Sequence, residues 1–276
     1  MPIQTIASGR AQIAVETAGA GAPVIFLHAG VCDRRMWRHQ MGTIGGDHLA
    51  IAYDRRGFGE TAHAEEPYAH VADLLAVMDA LVPGQPAVLV GCSQRGRITI
   101  DTALAHPDRV AGLVLIAPAV SGAPQASYPA AVQSIVDDLD ASEAEGDLDR
   151  VNALEAHLWL DGPLEPAGRV TGEVRDLFLR MNGIALRAET KGAEQPPPAA
   201  YERLGEISTP TLVIWGDLDF PHLQARCRRI ADSVPGAGAR ILAGAAHLPS
   251  MEQPGAVTDL VAGFLGAAMP QGSGAP

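Results

Sequence analysis

The chain has almost no lysine. Of its 20 basic residues only Lys191 is lysine; the rest are arginine. Against 32 acidic residues this leaves a formal net charge of -12. A nucleic-acid partner needs a basic face, so that class is excluded. The same deficit argues against docking on anionic membranes. Cysteine is also scarce. Cys32, Cys92 and Cys227 are an odd set with no Cys-x-x-Cys spacing, which excludes a disulfide framework and a structural zinc site. They read as the reduced thiols of a cytoplasmic protein. No apolar run approaches the roughly 18 residues of a membrane-spanning helix. Met1 to Thr17 lacks the basic stretch and apolar run of a signal peptide. The histidines form no His-Glu-x-x-His pair, and the Walker A and dinucleotide fingerprints are absent. Neither a metal nor a cofactor is therefore expected. Heavy use of arginine, alanine, glycine and proline has the look of a GC-rich bacterial genome.

What is present is apolar material. With 47% hydrophobic and 19% charged residues, disorder is excluded for most of the chain, and 276 residues can bury a large core. Short apolar runs recur at 11–15, 24–28, 49–53, 87–91, 112–117, 211–216 and 240–244. The middle ones are continuously apolar, as in strands buried on both faces of a parallel sheet. Helical stretches alternate with them at 68–81, 98–106, 223–234 and 256–269. Strand–helix alternation predicts an α/β protein with a mostly parallel, twisted sheet flanked by helices. The first two runs, with no helix between them, are expected to pair antiparallel. From 121 to 207 the alternation stops, and only helical patterns appear, at 130–139, 148–160 and 174–189. The expected organisation is a core formed by 1–120 and 208–269, a helical cap over 121–207 above the carboxyl ends of the strands, and a Gly/Pro/Ser-rich tail over 270–276 without order.

The chemistry concentrates where the fourth run meets a helix, in Gly91-Cys92-Ser93-Gln94-Arg95-Gly96. A serine on a tight strand-to-helix turn projects its hydroxyl above the sheet, beside backbone N–H groups at the helix start. Small neighbours are needed because strand and helix approach closely there. Here the chain resembles the α/β-hydrolase family over nearly its whole length. It departs from that family's Gly-x-Ser-x-Gly pattern at Arg95, with the glycine displaced to Gly96. Arginine there must crowd the preceding strand or point away from it.

The resemblance implies further residues. Gly244-Ala245-Ala246-His247-Leu248-Pro249, with Glu252 and Pro254 after it, is similar to the family's catalytic-histidine loop. The acid follows the preceding strand, in Trp215-Gly216-Asp217-Leu218-Asp219. Family matching favours Asp219, with Asp217 as the alternative. Ser93, Asp219 and His247 then stand in the family's chain order. The oxyanion donors would be the N–H of Gln94 and that of Gly30, with Val31 the alternative, in the loop His28-Ala29-Gly30-Val31. His28 corresponds to a structural histidine that holds this loop. Asp54-Arg55-Arg56-Gly57-Phe58-Gly59 is similar to the family's Asp-x-Arg-Gly-x-Gly turn, also structural.

The implied activity is a serine hydrolase that cleaves a carboxylic ester or lactone through an acyl-enzyme on Ser93. A serine nucleophile argues against haloalkane dehalogenase and epoxide hydrolase chemistry. The overall pattern is similar to the serine esterase and 3-oxoadipate enol-lactone hydrolase group. Trp159, Phe178 and Met181, with Leu158, Leu160 and Leu177, are apolar material of the cap that either lines a substrate pocket or packs the cap onto the core. They favour a small to medium apolar or aromatic ester. Arg175 or Arg180 could meet an acidic substrate. Three alternatives share the fold: a cofactor-free perhydrolase or haloperoxidase, a carbon–carbon bond hydrolase, and a non-catalytic ligand-binding protein, the last suggested by Arg95 alone. The expected partner is a small-molecule ester, with no nucleic acid and no membrane; a homodimer is left open.

Overall fold

The structure, a computed structural model, describes residues 3–268. The expectation for the 270–276 tail lies outside the described residues, as does the end of the last helix at Met269. Eight strands form one sheet: β1 Ile3–Ser8, β2 Ala11–Ala18, β3 Pro23–Leu27, β4 Leu49–Tyr53, β5 Ala87–Cys92, β6 Val110–Ile116, β7 Thr211–Gly216 and β8 Gly238–Leu242. Their spatial order is β1-β2-β4-β3-β5-β6-β7-β8. From β4 to β8 neighbouring strands are parallel; β1–β2 and β2–β4 are antiparallel.

The two-residue period of a strand sorts its side chains onto two faces, and both faces are apolar here. Ile25, Leu27, Leu89, Leu113, Leu115, Val213 and Trp215 face one core. It is closed by α2 His70–Leu81, α3 Gln94–Ala105 and α7 Pro221–Ser233, through Leu74, Met78, Ile98, Ile100, Cys227 and Ile230. The alternate residues Val24, Phe26, Val88, Val90, Val114, Ile116 and Ile214 face the other core. That one is closed by α1 Arg38–Ile44 and α9 Pro254–Ala268, through Met41, Ile44, Val257, Val261 and Leu265. Each such side chain, fully buried, contributes about 1.5–3 kcal/mol of transfer free energy. The unbroken Val/Ile/Leu runs of the middle strands follow from this double coverage.

Between β6 and β7 the described residues contain no named strand. Instead α4 Ala130–Glu145, α5 Leu148–Glu155, a π-helical turn over Ala156–Asp161 and α6 Glu173–Leu186 follow one another. Gly146 closes α4 in the left-handed region at φ 73°, and the Asp147 side chain accepts from Arg150 N to start α5. Val132 of α4 and Leu158 of the π turn pack on Phe220 and Leu223 at the start of α7.

Three expectations are corrected. The run at 11–15 does not pair with the run at 24–28, because β4 lies between them: Val15 pairs with Tyr53, and Leu27 also pairs with Tyr53 from the other side. β4 is buried, so hydrogen-bonding groups on both its edges need partners, and β2 supplies the outer ones. The predicted helix at 174–189 ends at Leu186, and the predicted 148–160 helix divides into α5 and the π turn. Helix α1 and the short α8, Pro249–Glu252, were not read from the sequence.

Candidate active site

All the chemistry-bearing loops leave the carboxyl ends of parallel strands. Ser93 sits between β5 and α3 with φ 58° and ψ -127°. A non-glycine residue held there costs of order 1–3 kcal/mol and persists only where its surroundings over-determine it. They do so here. Ser93 N–H donates to Ile116 O at 2.9 Å, and Ser93 O accepts from Gly96 N and Ala119 N, each at 2.9 Å. Close approach explains both flanking glycines. A Cβ on Gly91 would lie 2.7 Å from Arg95 O and from Thr99 Cγ2, and one on Gly96 would lie 2.3 Å from Pro118 Cβ. Arg95 does not turn out to solvent: it is 1% exposed. Its Nε has no partner, and its Nη2 donates to Gln94 Oε1 at 3.4 Å.

His247, in the loop after β8, is 1% exposed. Its Nε2 lies 2.8 Å from Ser93 Oγ, and its Nδ1 lies 2.8 Å from Asp219 Oδ2. The other oxygen of Asp219 accepts from Phe220 N at 2.7 Å. Asp219 is thus acceptor to both, which requires Nδ1 to carry the proton and leaves Nε2 free to accept from the serine. Asp217 stands apart. Its Oδ1 accepts from Gly244 N at 2.7 Å and ties the turn after β7 to the turn after β8.

Gly30, Val31 and Gln94 line a cavity of about 400 Å³ that opens onto Ser93 and His247. The amides of all three are without a hydrogen-bond partner among the described residues, so each is free to donate into it. The loop after β3 is held from below by His28. Its Nδ1 donates to Ala29 O at 2.8 Å, and its Nε2 accepts from Arg55 N at 3.2 Å. Burial, with the Arg55 charge, pushes the His28 pKa well below its ordinary value, which keeps it neutral. Arg55 belongs to the Asp54–Gly59 turn. There Asp54 accepts from Arg34 N and Glu60 N and pairs with the Arg34 guanidinium, while Arg56 binds Asp73, Glu66 and Ser8 O. Gly59, at φ 52°, would place a Cβ 2.1 Å from Asp54 Oδ2, so no other residue fits. Burial beside Asp33 raises the Asp54 carboxyl to about 6.

Of the apolar residues singled out in the helical segment, Trp159 lines the cavity, its ring 4.7 Å from that of His247 and 4.8 Å from that of Phe220. Phe178 and Met181 do not. Both are fully buried in the core that also holds Trp37, Leu160 and Leu248, because the apolar stripe of α6 faces the main body. Leu158 packs with α4 and α7, and Leu177 against the same core as Phe178. Arg175 is committed to Asp161 at 2.8 Å, and Arg180 is exposed on α6. Four polar residues of the cavity wall were missed: Gln125, Glu155, His222 and Arg226. His222 and Arg226 had a signal, a four-residue spacing on the helix that follows the Asp219 turn; Glu155 had none. Among the described residues no cluster of His, Cys, Asp or Glu could hold a metal ion, and no helix is long and apolar enough to cross a membrane. Cys32, Cys92 and Cys227 are all free and buried, and burial pushes their thiol pKa values up.

Residues 24–260 match the family described as "Alpha/beta hydrolase family". The chain is similar to the AB hydrolase superfamily protein YisY of Bacillus subtilis, 29% identical over 223 residues, which are 74% of this chain and 77% of that one. Among solved structures it is similar to a thermophilic esterase from Thermogutta terrifontis, with 25% identity, a TM-score of 0.76, and 97% of this chain and 98% of that one covered. It also resembles the enol-lactonase from Burkholderia xenovorans LB400, with 23% identity, a TM-score of 0.70 and coverage of 96% and 99%, a likeness of fold alone.

Proposed function

The chain belongs to the alpha/beta hydrolase family, and we propose that it is a serine esterase whose nucleophile is Ser93. One observation carries this reading: the strained Ser93 presents Oγ 2.8 Å from His247 Nε2, while Asp219 holds the opposite ring nitrogen. Beside it, the esterase from Thermogutta terrifontis and the enol-lactonase share the fold. In the reaction His247 Nε2 takes the Ser93 proton as Oγ bonds to the ester carbonyl carbon. The carbonyl π electrons move to oxygen, and the oxyanion is met by the Gln94 and Gly30 N–H groups. The carbon–oxygen bond to the leaving alcohol then breaks, and that alcohol takes the proton from His247. Water repeats the sequence: it gives a proton to His247 and attacks the acyl carbon, after which Ser93 leaves and regains its proton as the carboxylic acid departs. With a lactone, alcohol and acid leave as one hydroxy acid. Asp219 fixes the imidazole tautomer and stabilises the imidazolium. The helices over 121–207 serve as a cap, and Trp159 supplies the apolar contact for the substrate. Three free thiols suit a reducing, cytoplasmic setting.

A fluorophosphonate probe tests the proposal. Ser93 should be the labelled residue, and hydrolysis of p-nitrophenyl esters should be lost with it. Absence of labelling on a folded protein overturns the assignment.

A further inference from the structure

The cavity over Ser93 contains one guanidinium, that of Arg226 on α7. Other half-buried arginines are paired: Arg97 with Glu194, Arg169 with Glu252, Arg175 with Asp161. Arg226 makes no ion pair among the described residues. Its single hydrogen bond is a long one, 3.5 Å from Nη2 to Pro124 O, which lies on the same wall. Burial is the main influence on its charge and disfavours it. A cation placed in a cleft without an anion loses solvation and recovers little of it, unless the anion arrives with the ligand. One helical turn before it, His222 lines the same cavity, and its Nδ1 is shut off from solvent without a partner.

The other charges near the cavity do not fill the role. Asp219 lies behind His247, outside the cavity wall, and is spent on His247 and on Phe220 N. Glu155, also on the wall, accepts from Asn182 and makes no ion pair with Arg226; burial raises its pKa. The unanswered charge is positive.

We infer that the esterase, taking the reading above as its basis, acts on esters or lactones that carry a second, anionic group, a carboxylate or like oxyanion, and that Arg226 receives it. Neighbours four residues apart on a helix face stand about 5–6 Å from each other. Arg226 thus lies one turn beyond His222, which lines the same cavity as His247. The anionic group is accordingly several bonds away from the scissile carbonyl, as in the half-ester of a dicarboxylic acid, and does not compete for the oxyanion amides. An arginine fork suits a carboxylate because it can bind both oxygens at once.

The test compares p-nitrophenyl hydrogen glutarate with p-nitrophenyl pentanoate, two acyl chains of equal length that differ in charge. The native protein should show kcat/KM at least tenfold higher for the anionic ester, chiefly through a lower KM, and the advantage should shrink as ionic strength rises. In Arg226→Gln the anionic-to-neutral ratio should fall at least tenfold, and Arg226→Lys should restore part of it. A ratio near one in the native protein, or one unmoved by Arg226→Gln, overturns the inference. Should neither ester turn over, binding of the two esters to the Ser93→Ala protein decides it by calorimetry: equal affinity sinks the anionic subsite. Hydrolysis of the neutral ester without an anionic preference would leave the esterase assignment standing and remove only the Arg226 role. Absence of fluorophosphonate labelling at Ser93 would overturn the esterase assignment itself, and the calorimetric comparison alone would then decide whether Arg226 receives an anion.

Discussion

At the residue scale the two aspartates after β7 differ by two positions in sequence and entirely in circumstance. Asp219 receives the imidazole N–H, and Asp217 a backbone amide of the next turn. Asp219→Ala should lower kcat by about 10⁴-fold, as loss of the orienting acid does in serine hydrolysis. Asp217→Ala should leave kcat within tenfold and lower the melting temperature, because it removes one bond between two turns. Steady-state kinetics and thermal unfolding of both variants check this, and a larger kcat loss for Asp217→Ala would reverse their roles. Arg95 is the second residue to probe. A guanidinium enclosed at 1% exposure with Nε unpartnered carries a desolvation cost that outweighs the roughly 1 kcal/mol helix penalty of glycine. Arg95→Gly should therefore raise the melting temperature by a few degrees, on the order of 1–3 kcal/mol of stability. An unchanged or lower melting temperature in a scanning calorimeter would show that the enclosed side chain packs well enough to offset its lost hydration.

At the element scale the loop that carries His247 is held by one arginine from outside it. Arg169, just beyond the π turn, donates to Leu160 O, Asp161 O and Gly244 O, and pairs with Glu252. Glu252 in turn accepts from Ala246 N at 2.9 Å, next to His247. One side chain thus links the π turn, midway along the helical insertion, to both ends of the histidine loop. Arg169→Ala should lower kcat about 10- to 100-fold with a smaller change in KM, since a displacement of about 1 Å at the imidazole suffices for that; Arg169→Lys should recover part. A fall in KM affinity alone would mean that the link shapes the pocket and not His247. This linkage was not legible in the sequence, because it joins residues 75 and 83 positions apart with no periodic or motif signal. What was legible shares a local cause. The runs at 49–53 and 211–216 coincide with β4 and β7 because a strand buried on both faces must be apolar at every position. The elbow at Ser93 was readable because its tight turn forces small residues beside it. β1 was missed because only Ile6 of its six residues is buried, and the β2–β3 pairing was misjudged because sequence order says nothing about which strand fills an edge. Phe178 and Met181 were read correctly as apolar but could not be assigned to cavity or core, since periodicity gives a helix a buried face without naming what covers it.

At the scale of the whole molecule the helical segment between β6 and β7 is tied at both its roots to α2 and α3. Where it leaves β6, Ser121 Oγ donates to Asp101 Oδ1 of α3 at 2.7 Å and Ser121 O accepts from Ala200 N. Where it returns, Tyr68 N donates to Ala193 O and Gln195 N to Tyr68 O, and between them Glu194 accepts from Arg97 of α3 at 2.5 Å and lies 3.5 Å from His70 Nε2 of α2. The His70 and Arg97 contacts hold the Glu194 carboxyl down to about 2, against an ordinary value of 4.5. Burial, helped by the Arg55 charge, keeps His70 below its own ordinary value, and the guanidinium in direct contact with Glu194 is that of Arg97. A carboxyl whose pKa is depressed on folding stabilises the native state fully above its unfolded value and loses that contribution as pH falls toward the folded one. The native protein should therefore exceed Glu194→Gln in stability at both pH 7 and pH 5, by on the order of 1 kcal/mol for a pair this open to solvent. Below about 4.5 the difference should shrink, nearing zero as pH approaches 2. Urea midpoints at pH 7, 5 and 3.5 measure it. A difference that persists undiminished at pH 3.5 would mean that Glu194 acts through packing and not through its charge, and that the return root of the insertion is held by the two backbone bonds to Tyr68.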